Sequence, residues 1–130
     1  MPSASSALPL HAGVLLACLL AASAGAQGPS VRLLVQSSPL AGFRYHAAAD
    51  VWEALRVGDR LELSREPDNA FDPKAIAVTW RGRKLGYVPR RQNAAIAWAM
   101  DRGEPLSARI SRLRQHPNPA RRVEFEVYIE

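Results

Sequence analysis

The end of the chain alternates without a break: Val123, Phe125, Val127 and Ile129 fall on one face, and Glu124, Glu126 and Tyr128 on the other. Successive side chains of a strand point to opposite faces, so this spacing predicts a half-buried β-strand and excludes a helix, whose apolar residues recur every three or four positions. The same alternation governs Arg60-Leu61-Glu62-Leu63-Ser64-Arg65, where Leu61 and Leu63 share a face, and Leu106-Ser107-Ala108-Arg109-Ile110. Ala75 to Trp80 reads as a further strand, and Arg81-Gly82 as the hairpin turn into another at Lys84 to Val88. Strands with one buried face each must cover that face against a second layer or close on themselves.

The connecting segments complete the reading. Val31 to Val35 is β-branched and apolar enough for a strand, broken at Ser37-Ser38-Pro39, with a second extended piece at Gly42 to His46. Ala47 to Leu55 predicts a short helix with Val51, Trp52 and Leu55 facing inward, and Gly58-Asp59 a turn. Glu66 to Pro73 is a loop, because its two prolines remove amide donors while Asp and Asn side chains close turns on nearby backbone. Strong helix formers between Pro89 and Gly103 predict the main helix, with Ile96 and Met100, and Ala95 and Trp98, on its apolar stripe and Gly103 as its stop. A turn follows at His116 to Pro119. The order predicts a mainly β fold with helical additions (α+β), a small partly closed barrel with one main helix, in one domain over residues 27–130.

The first 26 residues carry no Asp, Glu, Lys or Arg, and an apolar run from Ala12 to Ala22 leads to Ala24-Gly25-Ala26. That run is too short for the ~20 residues of a spanning helix, so the expectation is a signal peptide over 1–26, cut before Gln27, and an exported, periplasmic or secreted domain with no stable membrane span. Leu15-Leu16-Ala17-Cys18 also fits a lipid-attachment box, but the residues after Cys18 stay apolar where a polar tether is expected. Cys18 is the one cysteine of the chain.

All 17 Lys and Arg and all 12 Asp and Glu follow residue 26, so the net charge of +5 survives cleavage. Such a domain attracts polyanions: nucleic acid, lipopolysaccharide, anionic lipid or an acidic protein. Beyond residue 26 there are only His46 and His116, no cysteine and no phosphate-cradling GxxxxGK[ST] run. These absences predict neither enzyme nor metal site, and no cofactor. What remains is an interleaving of aromatic and basic residues: Phe43, Arg44, Tyr45, Phe71, Lys84, Tyr87, Arg90 and Arg91. Single-strand binders combine these types, because bases stack on aromatic faces while cations track phosphates. Phe43 also fits a core position and Tyr45 a core ring with a solvated hydroxyl. Arg90 and Arg91 are expected to open the main helix, where positive charge opposes the macrodipole unless an anion lies nearby.

The run Gly58-Asp59-x-Leu61-x-Leu63-x-Arg65-Glu66-Pro67-x-Asn69-x-Phe71-Asp72-x-x-Ala75-Ile76-x-Val78, followed by Lys84-Leu85-Gly86-Tyr87-Val88-Pro89-Arg90, resembles the HIRAN domain family over about residues 39–113. The resemblance implies a modified OB-like barrel and a pocket for the 3′-hydroxyl end of single-stranded DNA. On the family's G-x-R-Y motif fall Gly42, Arg44 and Tyr45, with Tyr45 stacking on a terminal base and Arg44 near phosphate. On its N-x-Y-D motif fall Asn69, Phe71 and Asp72, with Phe71 as second stacking wall and Asp72 accepting the 3′-hydroxyl. Arg90 takes the place of a basic phosphate contact beside Tyr87. Phe71 stands where helicase-linked members have Tyr, and His46 where they have a second Tyr, so stacking is kept and hydroxyl contacts are lost. Asp72 has a second possible role, as a turn residue before Pro73. Two functions follow: an exported module binding single-stranded nucleic-acid ends, and an envelope interaction module binding an acidic protein or other polyanion.

Overall fold

The computed structural model describes residues 31–130; the expected signal peptide and Cys18 lie outside them. Six strands form one antiparallel sheet: β1 (Leu33–Pro39), β2 (Arg60–Arg65), β3 (Ile76–Trp80), β4 (Arg83–Tyr87), β5 (Leu106–Leu113) and β6 (Val123–Ile129), in the order β1-β6-β5-β2-β3-β4. Two short helices accompany it, α1 (Ala48–Val51) and α2 (Ala94–Asp101). The fold is mainly β with helical additions, partly open and OB-like.

Alternation sets the inward face. Val123, Phe125 and Val127 of β6 pack against Ala108 and Ile110 of β5, Leu61 of β2 and Ile76 and Val78 of β3, all buried. Each large apolar side chain so enclosed contributes about 1.5–3 kcal/mol. β2 is the corner of the barrel: its start pairs with β5 through Arg60↔Arg109 and Leu61↔Ala108, and the rest, from Glu62↔Thr79 to Arg65↔Ile76, with β3. The β3–β4 hairpin turns on Arg81 and Gly82 at φ 46° and 80°, the left-handed pair that matches the twist of the strands it joins.

The two edges of the sheet meet at one point. Past the end of β1, Ala41 pairs with Tyr87 at the end of β4, each amide donating to the other's carbonyl at 2.9 Å. Gly86 makes that approach possible, since a Cβ there stands 2.2 Å from the Ala41 carbonyl oxygen. This closure places the segment after β1 beside the β2–β3 loop.

The structure corrects several expectations. Gly42 to His46 is not extended: Gly42 takes φ 79°, and Phe43–Tyr45 forms a 3-10 turn with Tyr45 N–H donating to the Gly42 carbonyl. β1 runs through Ser37-Ser38-Pro39 rather than breaking there, because β6 pairs with it as far as Pro39. The helix expected over Ala47 to Leu55 is α1 followed by a 3-10 turn, Trp52–Ala54, with Val51 and Leu55 buried and Trp52 partly so. The main helix begins only at Ala94, because Pro89 leads into a separate 3-10 turn, Arg90–Gln92; Arg90 and Arg91 therefore do not open it, and the dipole argument for them lapses. Ala95 and Trp98 face solvent, while Ile96, Ala97 and Ala99 bury.

Candidate nucleic-acid interface

Two loops and the end of β4 enclose a cleft of about 450 Å³. The turn after β1 contributes Gly42, Tyr45 and His46, the β2–β3 loop Asn69, Phe71 and Asp72, and the far side is Tyr87 and Arg90. The sequence-predicted residues Tyr45, Asn69, Phe71, Asp72, Tyr87 and Arg90 are thus brought together from three separate segments. Arg44 and Arg91 are exposed beside the cleft without lining it. Phe43 is a core residue, 3% exposed, with its ring edge against Trp52.

Tyr45 and Phe71 are 78% and 86% exposed. Two large aromatic rings held in water on the rims of one cleft lose the burial that normally stabilises them, which leaves their faces available to a flat apolar ligand.

The β2–β3 loop is shaped by its own polar side chains. Asn69 Oδ1 accepts from the backbone N–H of Phe71 (2.8 Å) and Asp72 (3.1 Å), and its Nδ2 donates to Glu66 Oε1 at 3.1 Å. Asn69 therefore positions Phe71 and Asp72. Asp72 Oδ1 accepts from the Lys74 N–H at 2.9 Å, the turn role foreseen for it, and Oδ2 accepts from Asn93 Nδ2 at 2.7 Å. The Lys74 amide bond, the Asn93 bond and the nearby Arg90 charge hold the Asp72 carboxyl below its ordinary pKa, so it is ionised at neutral pH. Each carboxylate oxygen keeps a second lone pair for a further donor.

Lys84 stands differently from the expectation of a phosphate-binding cation. Its Nζ lies 2.8 Å from Glu66 Oε2 and 3.0 Å from the Tyr87 hydroxyl, which donates to Glu66 Oε1 at 2.8 Å. These bonds pull Glu66 to about 2, Lys84 first and Tyr87 and Asn69 after it, and raise Lys84. The triad ties Tyr87, a wall of the cleft, to the β2–β3 loop. His46 packs edge-on against Tyr87, with ring centroids 5.3 Å apart, and burial, reinforced by the Lys84 charge, lowers its pKa.

Glu66 and Asn93 are the functional neighbours that sequence reasoning missed. Glu66 stood in the quoted motif without a role; Asn93, 2% exposed, gave no signal, since nothing in the sequence ties it to Asp72 21 positions away. Among the described residues no group of three or more His, Cys, Asp or Glu is placed to hold a metal ion, and no helix is long and apolar enough to cross a membrane.

A partly open barrel with an aromatic cleft and a braced carboxylate defines a binding domain of the OB-like class. The HIRAN domain model matches residues 33–130, and the chain belongs to that family. The match is wider than residues 39–113, because it takes in both β1 and β6. A Lactobacillus plantarum protein of known crystal structure is 30% identical, with TM-score 0.67, over 76% of this chain and 95% of that one. The HIRAN domain of human HLTF shares the fold at 18% identity, with TM-score 0.58, over 75% of this chain and 78% of that one. A Fanconi-associated nuclease 1 homolog of Oryza sativa subsp. japonica is 34% identical over 73 residues, which is 53% of this chain and 7% of that protein's length.

Proposed function

We propose that this domain binds single-stranded DNA and grips its 3′-hydroxyl end in the cleft between Tyr45 and Phe71. The observation that carries the reading is the pair of exposed rings flanking a carboxylate whose orientation is fixed from two sides. The terminal base stacks on the rings, Arg90 meets the phosphate, and the 3′-hydroxyl donates to Asp72. A carboxylate in a site for a polyanion is repulsive unless it faces a donor, and a hydrogen bond to a charged group is worth about 1.5–3 kcal/mol. A generic polyanion binder has no use for the rings or for Asp72, which sets the acidic-protein reading second. Membership of the HIRAN family supports a nucleic-acid ligand.

The test compares oligonucleotides by fluorescence anisotropy. A 3′-phosphate removes the donor and sets two anions together, so affinity falls at least about tenfold, the equivalent of ~1.4 kcal/mol. A 5′-phosphate changes little, and Asp72→Asn narrows the gap between 3′-hydroxyl and 3′-phosphate ends. Equal binding of both ends and of circular strands defeats end recognition.

A further inference from the structure

We infer that the nucleic-acid path continues from the end-binding cleft over Lys74 onto Trp98, which serves as a second stacking platform for a base upstream of the 3′ terminus. The inference rests on the end-binding reading and extends it to the ligand's length: a single-stranded tail of several nucleotides. Asp72 and Arg90 line both the main cleft and a smaller hollow of about 270 Å³, whose other walls are Pro73, Lys74, Asn93 and Ala94. The two spaces are therefore neighbours that share one carboxylate and one guanidinium.

From that hollow the surface leads to Trp98. Ala94 and Trp98 lie four residues apart in α2, on one face and about 6 Å along the axis. Lys74, which walls the hollow, holds its ammonium 5.4 Å from the centre of the Trp98 ring. Of the three tryptophans, Trp80 is buried and Trp52 partly buried, whereas Trp98 is 55% exposed. Lys74 has no carboxylate within ion-pair distance among the described residues, so its charge is available to a phosphate. An exposed indole with an unpaired cation over it, next to an aromatic cleft, is the stacking-plus-charge arrangement that non-specific single-strand binders use.

In this inference the strand whose 3′ end lies at Asp72 leaves past Arg90, which lines both spaces, toward Lys74, which lines the second. OB folds engage about 4 nucleotides or more, which the cleft alone does not supply.

The test uses intrinsic fluorescence and a length series, with a dinucleotide and an octanucleotide that both carry a 3′-hydroxyl. The octanucleotide quenches wild-type emission, and Trp98→Phe, which keeps a stacking ring, binds it but loses the quench. Trp98→Ala lowers the octanucleotide-to-dinucleotide affinity ratio by about 5- to 160-fold, the range of one base–aromatic stack. Lys74→Ala lowers the same ratio less. An undiminished quench in Trp98→Phe, or an unchanged ratio in Trp98→Ala, overturns the platform. Failure of end recognition shows separately, as loss of the 3′-hydroxyl preference in the wild type, and the quench and ratio decide Trp98 in either case.

Discussion

Glu66 organises the site although the family motif gives it no role. Its two oxygens take bonds from Lys84, Tyr87 and Asn69, so it ties β4 to the loop that carries Phe71 and Asp72. Glu66→Gln keeps the shape and removes the charge, and is expected to cost about 1 kcal/mol at neutral pH once the solvent exposure of Lys84 is allowed for. Because the folded-state pKa lies near 2, below the ordinary 4.5, the stability Glu66 adds is complete above pH 4.5 and is lost as pH falls toward 2. Thermal unfolding should therefore show a gap between wild type and Glu66→Gln that is constant above pH 5 and closes in acid; a gap that widens in acid refutes the assignment. The aromatic and basic members of this site were legible in the sequence because stacking and charge belong to single residues. Glu66 and Asn93 were not, because their roles lie in partners 18 to 21 positions distant.

At the level of elements, alternation made β2, β5 and β6 readable, since each buries one face. The turn at Phe43–Tyr45 left no such trace: a single 3-10 turn fixed by a left-handed Gly42 has no period to detect. Trp98 falls on the apolar stripe of the main helix in sequence, but helical spacing shows only that residues share a face, and Ile96 with small Ala97 and Ala99 forms the buried side. The joint between the sheet edges is the element most open to test. In Gly86→Ala the new methyl meets backbone at Ala41, which cannot swing away as a side chain does, and overpacking of that kind costs typically ~1–3 kcal/mol. Hydrogen exchange at the Ala41 and Tyr87 amides should accelerate well beyond that at the β5–β6 pairing, and oligonucleotide affinity should fall with it, since Tyr45 hangs from the loosened segment. Uniform protection across both pairings contradicts the closure.

For the whole molecule, the number of phosphates its basic residues neutralise sets how binding responds to salt. With Lys84 engaged by Glu66, the phosphate contacts in the end-binding reading are Arg44 and Arg90, so log K for a short strand should fall with log salt at a slope of about −1.4, and Arg90→Ala should make it shallower by about 0.7. Equal slopes remove Arg90 from the path. Export is the other whole-chain expectation, checked by mass spectrometry of the native protein: Gln27 at its N-terminus supports it, while an intact Met1 or a lipid on Cys18 refutes it. One topological fact reaches further. β6, the last strand in sequence, lies between β1 and β5, with Leu33 and Leu106 both registered to Ile129. Without residues 123–129 the order reduces to β5-β2-β3-β4, with β1 held only at the Ala41–Tyr87 joint, and ordering so distant a pairing is entropically slow. The β1–β6 ladder joins the two ends of the described domain, so β1 remains a loose strand, its amides open to solvent, until β6 has docked.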